Sequence, residues 1–167
     1  MNLFLLRHGL AVECDDLDFQ NDDARPLTPK GRRQLHKIAA AMRAMELPFD
    51  VILSSPLVRA RQTAEIVAAE FKSGKRLVLA GELSPGGSVK KLVQKIRALE
   101  SAAENILLVG HEPDLGKQIS LLITGKAGAG FTLKKGALAK LEVEKLRAGK
   151  CATLAWLLTP GQMKLMR

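Results

Sequence analysis

Asn2-Leu3-Phe4-Leu5-Leu6-Arg7-His8-Gly9 is a continuous apolar run that stops at two nitrogen-rich side chains and a glycine. A run this short and this apolar predicts a strand buried on both faces. Three later stretches repeat it. Val51-Ile52-Leu53 runs into Ser54-Ser55-Pro56, residues 76–80 read Arg-Leu-Val-Leu-Ala, and residues 105–109 (Asn-Ile-Leu-Leu-Val) stop at Gly110-His111-Glu112-Pro113. The stretches between them carry helical spacing. Thr28-Pro29 sets a cap and a first helical position, and Leu35, Ile38, Ala39, Met42 and Met45 keep one face to about Glu46. A second helix is expected over 57–71, broken at Gly74. Ser88 is expected to cap a third, with Val89, Leu92, Val93, Ile96 and Leu99 on its apolar face. The fourth runs from Asp114, expected to cap it, to Ile123 and stops at Gly125. Residues 137–144 and 152–158 then predict two strands joined as a hairpin through Ala148-Gly149-Lys150. Four strand–helix alternations closed by two strands predict a three-layer α/β/α sandwich with a mostly parallel, mixed sheet. Trp156 is expected at the core or its edge.

The chain's 167 residues fit one domain, 1–167, large enough to bury a real core. No apolar run approaches the roughly 20 residues of a membrane span, and the opening stretch lacks the leading charge of a secretory signal. Cys14 and Cys151 make no disulfide scaffold, and neither has a setting that would lower a thiol pKa. A cytoplasmic protein is expected. The net charge is +9, with 26 Lys and Arg against 17 Asp and Glu. The excess is uneven: residues 1–29 hold two basic and six acidic side chains, and everything basic beyond that follows them. A pI near 9.8 admits a basic nucleic-acid-binding domain as an alternative, motivated by Lys90, Lys91, Lys95 and Arg97 on one helix. Aromatic residues at 4% and the acidic first loop weigh against base stacking. Gly125-Lys126-Ala127-Gly128-Ala129-Gly130 lacks the Lys-Ser/Thr of a phosphate-binding P-loop and reads as a plain loop.

Sites in open α/β sheets gather at the carboxyl ends of strands. Two of only three histidines, His8 and His111, fall there, with Arg7 beside one and Arg59 in the helix after the second strand. His36, in an Arg/Lys-rich helix, and Arg61 read as surface residues. Leu6-Arg7-His8-Gly9, Ser54-Ser55-Pro56-Leu57-Val58-Arg59-Ala60-Arg61-Gln62-Thr63-Ala64-Glu65 and Gly110-His111-Glu112 together resemble the three signature blocks of the histidine phosphatase (phosphoglycerate-mutase-like) superfamily. The size, Arg25-Pro26-Leu27-Thr28 and Glu82-Leu83-Ser84-Pro85-Gly86-Gly87 are most similar to the small SixA-type phosphohistidine phosphatases.

That resemblance implies His8 as a nucleophile that becomes phosphorylated, with Arg7, Arg59 and His111 binding the phosphoryl oxygens. It implies no metal and no other cofactor, because the cationic side chains supply the electrostatics. Arg25 is a further candidate for touching substrate or bracing the acidic loop. Glu82 is the positional candidate for a proton donor, with Asp18 and Asp23 as competitors. The expected activity is removal of a phosphoryl group from phosphohistidine on a protein. A small-molecule phosphomonoesterase is the alternative within the superfamily. The expected partner is a phosphorylated protein or a small phosphate ester, with no nucleic acid and no membrane, and the chain is expected to be a monomer.

Overall fold

The computed structural model describes residues 1–13, 21–71, 76–99 and 103–166. Cys14, Asp18 and the break at Gly74 lie outside them. The strands are β1 (Asn2–Arg7), β2 (Val51–Ser54), β3 (Arg76–Leu79), β4 (Asn105–Gly110), β5 (Leu138–Val143) and β6 (Ala152–Leu158). The helices are α1 (Pro29–Ala44), α2 (Val58–Glu70), α3 (Val89–Arg97), α4 (Asp114–Thr124) and α5 (Pro160–Lys164). One six-stranded sheet runs in the order β3-β2-β4-β1-β5-β6. The first four strands are mutually parallel, and β5 and β6 are antiparallel to their neighbours. This is the expected three-layer α/β/α sandwich with a mixed, largely parallel sheet.

The pleat of β1 divides the core. Leu3 and Leu5 pack with α3 and α4 on one face, while Phe4 and Leu6 pack with α1, α2 and α5 on the other. All four are essentially inaccessible, as a central parallel strand requires. Trp156 is half-buried against Phe4, ring centroids 6.1 Å apart, at the core edge.

Helix starts follow local chemistry in most cases. The Thr28 hydroxyl accepts from the Gly31 N–H at 2.9 Å with Pro29 in the first turn, and the Ser88 hydroxyl accepts from Lys91. Asp114 departs from expectation. Pro113 is the cap residue of α4, and the Asp114 carboxylate instead accepts from the Gly86 N–H at 2.9 Å. It ties the loop after β3 to the start of α4. Helix α5 was absent from the expected elements; a Thr159–Gln162 capping box with Pro160 in its first turn stabilises its five residues. Gly31 permits one close approach that matters for the site. A Cβ there would sit 2.1 Å from the Leu10 carbonyl oxygen, so α1 packs directly on the segment leaving β1. Leu10 also accepts from Thr28 N–H, and Ala11 bridges Leu27, which pins the chain just after His8.

Candidate active site

Parallel strands β1 and β4 are neighbours, so their carboxyl ends bring Arg7-His8 and Gly110-His111 side by side. The His8 and His111 rings lie with centroids 5.1 Å apart, tilted by 50°. Strand β2, on the far side of β4, ends at Ser54 and delivers Ser55 and then α2, whose first turn carries Arg59. Four side chains from three strand ends therefore meet at one edge of the sheet. His8, Arg59 and His111 are all buried, and Arg7 is partly so.

The His8 backbone is held from both sides: its N–H donates to Gly110 at the end of β4, and its carbonyl accepts from Gly136 just before β5. Its Nδ1 lies 2.7 Å from the Gly9 carbonyl oxygen. A carbonyl only accepts, so Nδ1 carries the proton and Nε2 keeps a free lone pair. Burial pushes the His8 pKa down to about 3, with the Gly9 bond opposing and His111, Arg59 and Arg7 adding to the depression. Burial likewise lowers His111 to about 4, helped by Arg59 and opposed by Asp22 and Asp114. Both rings are neutral near pH 7.

Those depressed values make acid sensitivity an expected property. Both folded-state pKa values lie below the 6.5 of an exposed imidazole, so below pH 6.5 the unfolded chain binds more protons than the folded one. The stability contributed by burying the rings neutral is present above pH 6.5 and drains away as pH falls toward 4. The slope is up to about 1.4 kcal/mol per pH unit for each histidine. Thermal melts between pH 7 and 4.5 check this: His8→Ala and His111→Ala should each flatten the decline relative to the parent, and parallel curves would contradict it.

The arginines are anchored at one end only. Arg7 Nη1 donates to the Leu133 carbonyl at 2.7 Å, and the Leu133 N–H donates to Glu112 Oε1 at 2.9 Å. The backbone of one residue before β5 is thus gripped on both its N–H and its carbonyl, by a residue from each of the two central strand ends. Arg59 Nη1 and Nη2 donate to the backbone oxygen and carboxylate of Asp22 at 2.6 and 2.9 Å. The Nε atoms of Arg7 and Arg59 and Nδ1 of His111 are buried without a hydrogen-bond partner among the described residues. Buried unsatisfied donors are uncommon and mark where a ligand's acceptors would be welcome. No group of three or more His, Cys, Asp or Glu able to hold a metal ion occurs among the described residues.

The remaining sequence candidates separate. Arg25 braces the loop: Nη1 donates to the Val12 carbonyl at 2.7 Å, while Nε and Nη2 reach Asp22 Oδ1 at 2.9 and 2.5 Å. Asp23 is exposed, in a short 3-10 turn with Asp22 and Ala24. Glu82 follows β3 in another such turn, with its carboxylate 3.5 Å from Lys95 Nζ on α3. His36 is exposed, and Arg61 is exposed and pairs with Glu65 on its own helix. Cys151 is a free thiol near the Arg147 carbonyl. Of the basic face on α3, Lys95 is paired with Glu82 and Arg97 donates to the Leu146 carbonyl, which leaves less of it for a polyanion.

Several participants were not singled out in advance. Ser55 Oγ lies 2.9 Å from His111 Nε2 and accepts from Leu57 N–H, fixing the ring. Thr63 Oγ1 donates to the Arg59 carbonyl at 2.7 Å and accepts from Gly9 N–H at 3.2 Å, joining the arginine's helix to the histidine's loop. Asp22 ties Arg59 to Arg25, and Glu112 acts on Arg7 both through Leu133 and by its charge. A hydroxyl one residue before Pro56 and another four residues after Arg59 were the only hints available.

Residues 3–84 match the histidine phosphatase superfamily (branch 1). An uncharacterized protein of Picosynechococcus sp. is 39% identical over 139 residues, 83% of this chain and 82% of that one. The phosphohistidine phosphatase SixA of Escherichia coli (strain K12) is 27% identical over 168 residues, 100% of this chain and 99% of its own. The structure of the protein histidine phosphatase SixA complexed with tungstate superposes with a TM-score of 0.81 at 28% identity, over 96% of this chain and 98% of that one. The alpha-ribazole phosphatase of Shigella flexneri shares the fold, with a TM-score of 0.69 at 22% identity over 96% and 97% of the two chains. The family match and the likeness to a solved histidine phosphatase support a hydrolase. The chain belongs to the histidine phosphatase superfamily, with SixA-type proteins among its near relatives in sequence and structure.

Proposed function

We propose that this single-domain, monomeric chain removes the phosphoryl group from phosphohistidine on a protein, through a phosphohistidine intermediate on its own His8. The observation that carries the reading is the state of His8: neutral, its Nδ1–H committed to Gly9 and its Nε2 lone pair free beside His111. In the first step Nε2 attacks phosphorus. The new N–P bond forms as the substrate's N–P bond breaks, and the electron pair stays on the departing ring, which leaves as neutral imidazole because its other nitrogen carries a proton. The Gly9 carbonyl, accepting from Nδ1–H, stabilises the positive charge the His8 ring acquires. In the second step water attacks phosphorus, the His8 N–P bond breaks, the pair returns to Nε2 and the water's proton leaves with phosphate or solvent.

Arg7, Arg59 and His111 are assigned to the equatorial oxygens, where charge spreads in the transition state. Their unpaired buried nitrogens support that assignment. So does the near relative that takes up tungstate, a tetrahedral oxyanion. The mechanism asks for no metal, since guanidinium groups provide the positive field. Arg25 is assigned to the loop that carries Asp22, and through it to the setting of Arg59.

An imidazole leaves without strong acid assistance, whereas an alkoxide needs a proton. A positioned general acid is worth about 10²–10⁴-fold. Purified protein assayed against a phosphohistidine-bearing protein, phosphoramidate and a panel of sugar and nucleotide monophosphates should favour the N–P substrates by about 100-fold or more in kcat/KM. Glu82→Gln should lower what ester turnover there is and leave phosphoramidate turnover intact, Glu82 being the carboxylate assigned to ester protonation. A panel in which one small ester outruns the N–P substrates would replace this reading with that of a small-molecule phosphomonoesterase.

A further inference from the structure

A cleft of about 520 Å³ opens on Arg7, and neither His8 nor His111 lines it. Lys134 and Lys135, in the segment before β5, line it together with Gln34 of α1, the Thr159–Gly161 turn and Lys164 of α5. Its lining contains four cationic side chains and, among the described residues, no carboxylate. Lys134 and Lys164 are exposed; Lys135 is partly buried, with its ammonium 3.3 Å from the exposed Glu13. Helical spacing places the exposed Lys30 and Lys37 four residues before and three after Gln34, on the same side of α1. The positive field therefore extends beyond the cleft along α1. None of these lysines takes part in the mechanism above.

We propose that this cleft is a docking groove for an acidic segment flanking the phosphorylated histidine of a protein substrate. The proposal rests on the phosphatase reading for where the phosphoryl group sits. With that group beside His8 and Arg7, the residues next to it in the substrate have the Arg7 cleft as adjoining space. The lysines stand on long stems from three separate elements, α1, the segment before β5 and α5. That arrangement suits an irregular acidic protein surface better than one rigid small anion, which calls for a few convergent donors. Charges of this kind raise the encounter rate and select partners more than they add raw affinity. They also give part of the chain's unassigned basic excess a use.

The test uses fluorescein-labelled phosphohistidine peptides, one with glutamates and one with lysines beside the phosphohistidine. Binding is read by fluorescence anisotropy on the His8→Ala protein, which cannot turn them over. The glutamate peptide should bind about 10-fold more tightly at about 50 mM salt, with the margin largely gone at about 500 mM. Adding Lys134→Glu and Lys164→Glu should abolish the margin, and Lys134→Ala with Lys164→Ala should halve it at least. In the otherwise unchanged protein, the same lysine substitutions should leave phosphoramidate turnover as it was. Equal binding of the two peptides overturns the groove. So does a small bisphosphate whose affinity depends on Lys134 and Lys164 as strongly as the peptide's, which would make the cleft a small-ligand subsite. Failure of the parent to hydrolyse phosphoramidate would instead count against the phosphatase reading, while the peptide comparison still decides the groove.

Discussion

Replacing His8 by alanine lowers turnover of phosphohistidine protein and of phosphoramidate alike by at least about 10⁴-fold. The expected size follows from the chemistry assigned to the ring. Among the clustered side chains His8 combines a free lone pair, a neutral charge state at physiological pH and a fixed tautomer. Ser55 occupies one nitrogen of His111, and arginines are protonated. The parent protein, quenched with alkali during turnover of labelled substrate, should carry a phosphoryl adduct that survives base and is lost in mild acid. The His8→Ala protein should carry none, and His111→Ala should still form some, more slowly. Loss of the fold is separated by melting the alanine variant at pH 7.5, where it should remain folded. An adduct persisting without His8, or activity within 100-fold of the parent, would remove His8 from the role.

Arg59→Met should cost about 10³-fold in kcat/KM, the range seen when a single strong donor to transition-state charge is lost. Arg59→Lys should recover only part of this. A lysine ammonium is a point charge and cannot span Asp22 and a phosphoryl oxygen at once as the guanidinium fork can. The loss should be equal for small and protein substrates, because the group acts on the phosphoryl oxygens common to both. That distinguishes it from the lysines of the Arg7 cleft, whose removal should leave the small substrate untouched. A loss below 10-fold, or one confined to protein substrates, would assign Arg59 to holding Asp22 and its loop.

The strands were legible because each buried parallel strand is a bare apolar run, and their ends were legible because Arg7-His8 and Gly110-His111 interrupt such runs abruptly. Residue type pointed to chemistry there. What could not be read were contacts that depend on partners remote in the chain. Glu112 and Arg7 meet at Leu133, and Asp22 reaches Arg59 across 37 positions. No periodicity encodes these. Asp114 shows the converse error: a good cap residue sits one position too late to cap, and its carboxylate turns to the Gly86 loop. Helix α5 was missed because five residues are too few to display a period, although Thr159-Pro160 is the same start signal as Thr28-Pro29.

The place of β1 in the sheet bears on the order in which folding assembles the site. Arg7 and His8 stand at the end of β1, which pairs with residues 105–110 on one side and 138–142 on the other. The strand that ends at His8 thus gains its second neighbour only when β5 pairs with it. Pairings that span so much of the chain are slow to nucleate. Until both pairings form, His8 lacks the backbone hydrogen bonds with Gly110 and Gly136 that fix it in the site. Assembly of the site should therefore follow the long-range pairing of β1, and a version of this chain cut before residue 138 should be inert rather than partly active.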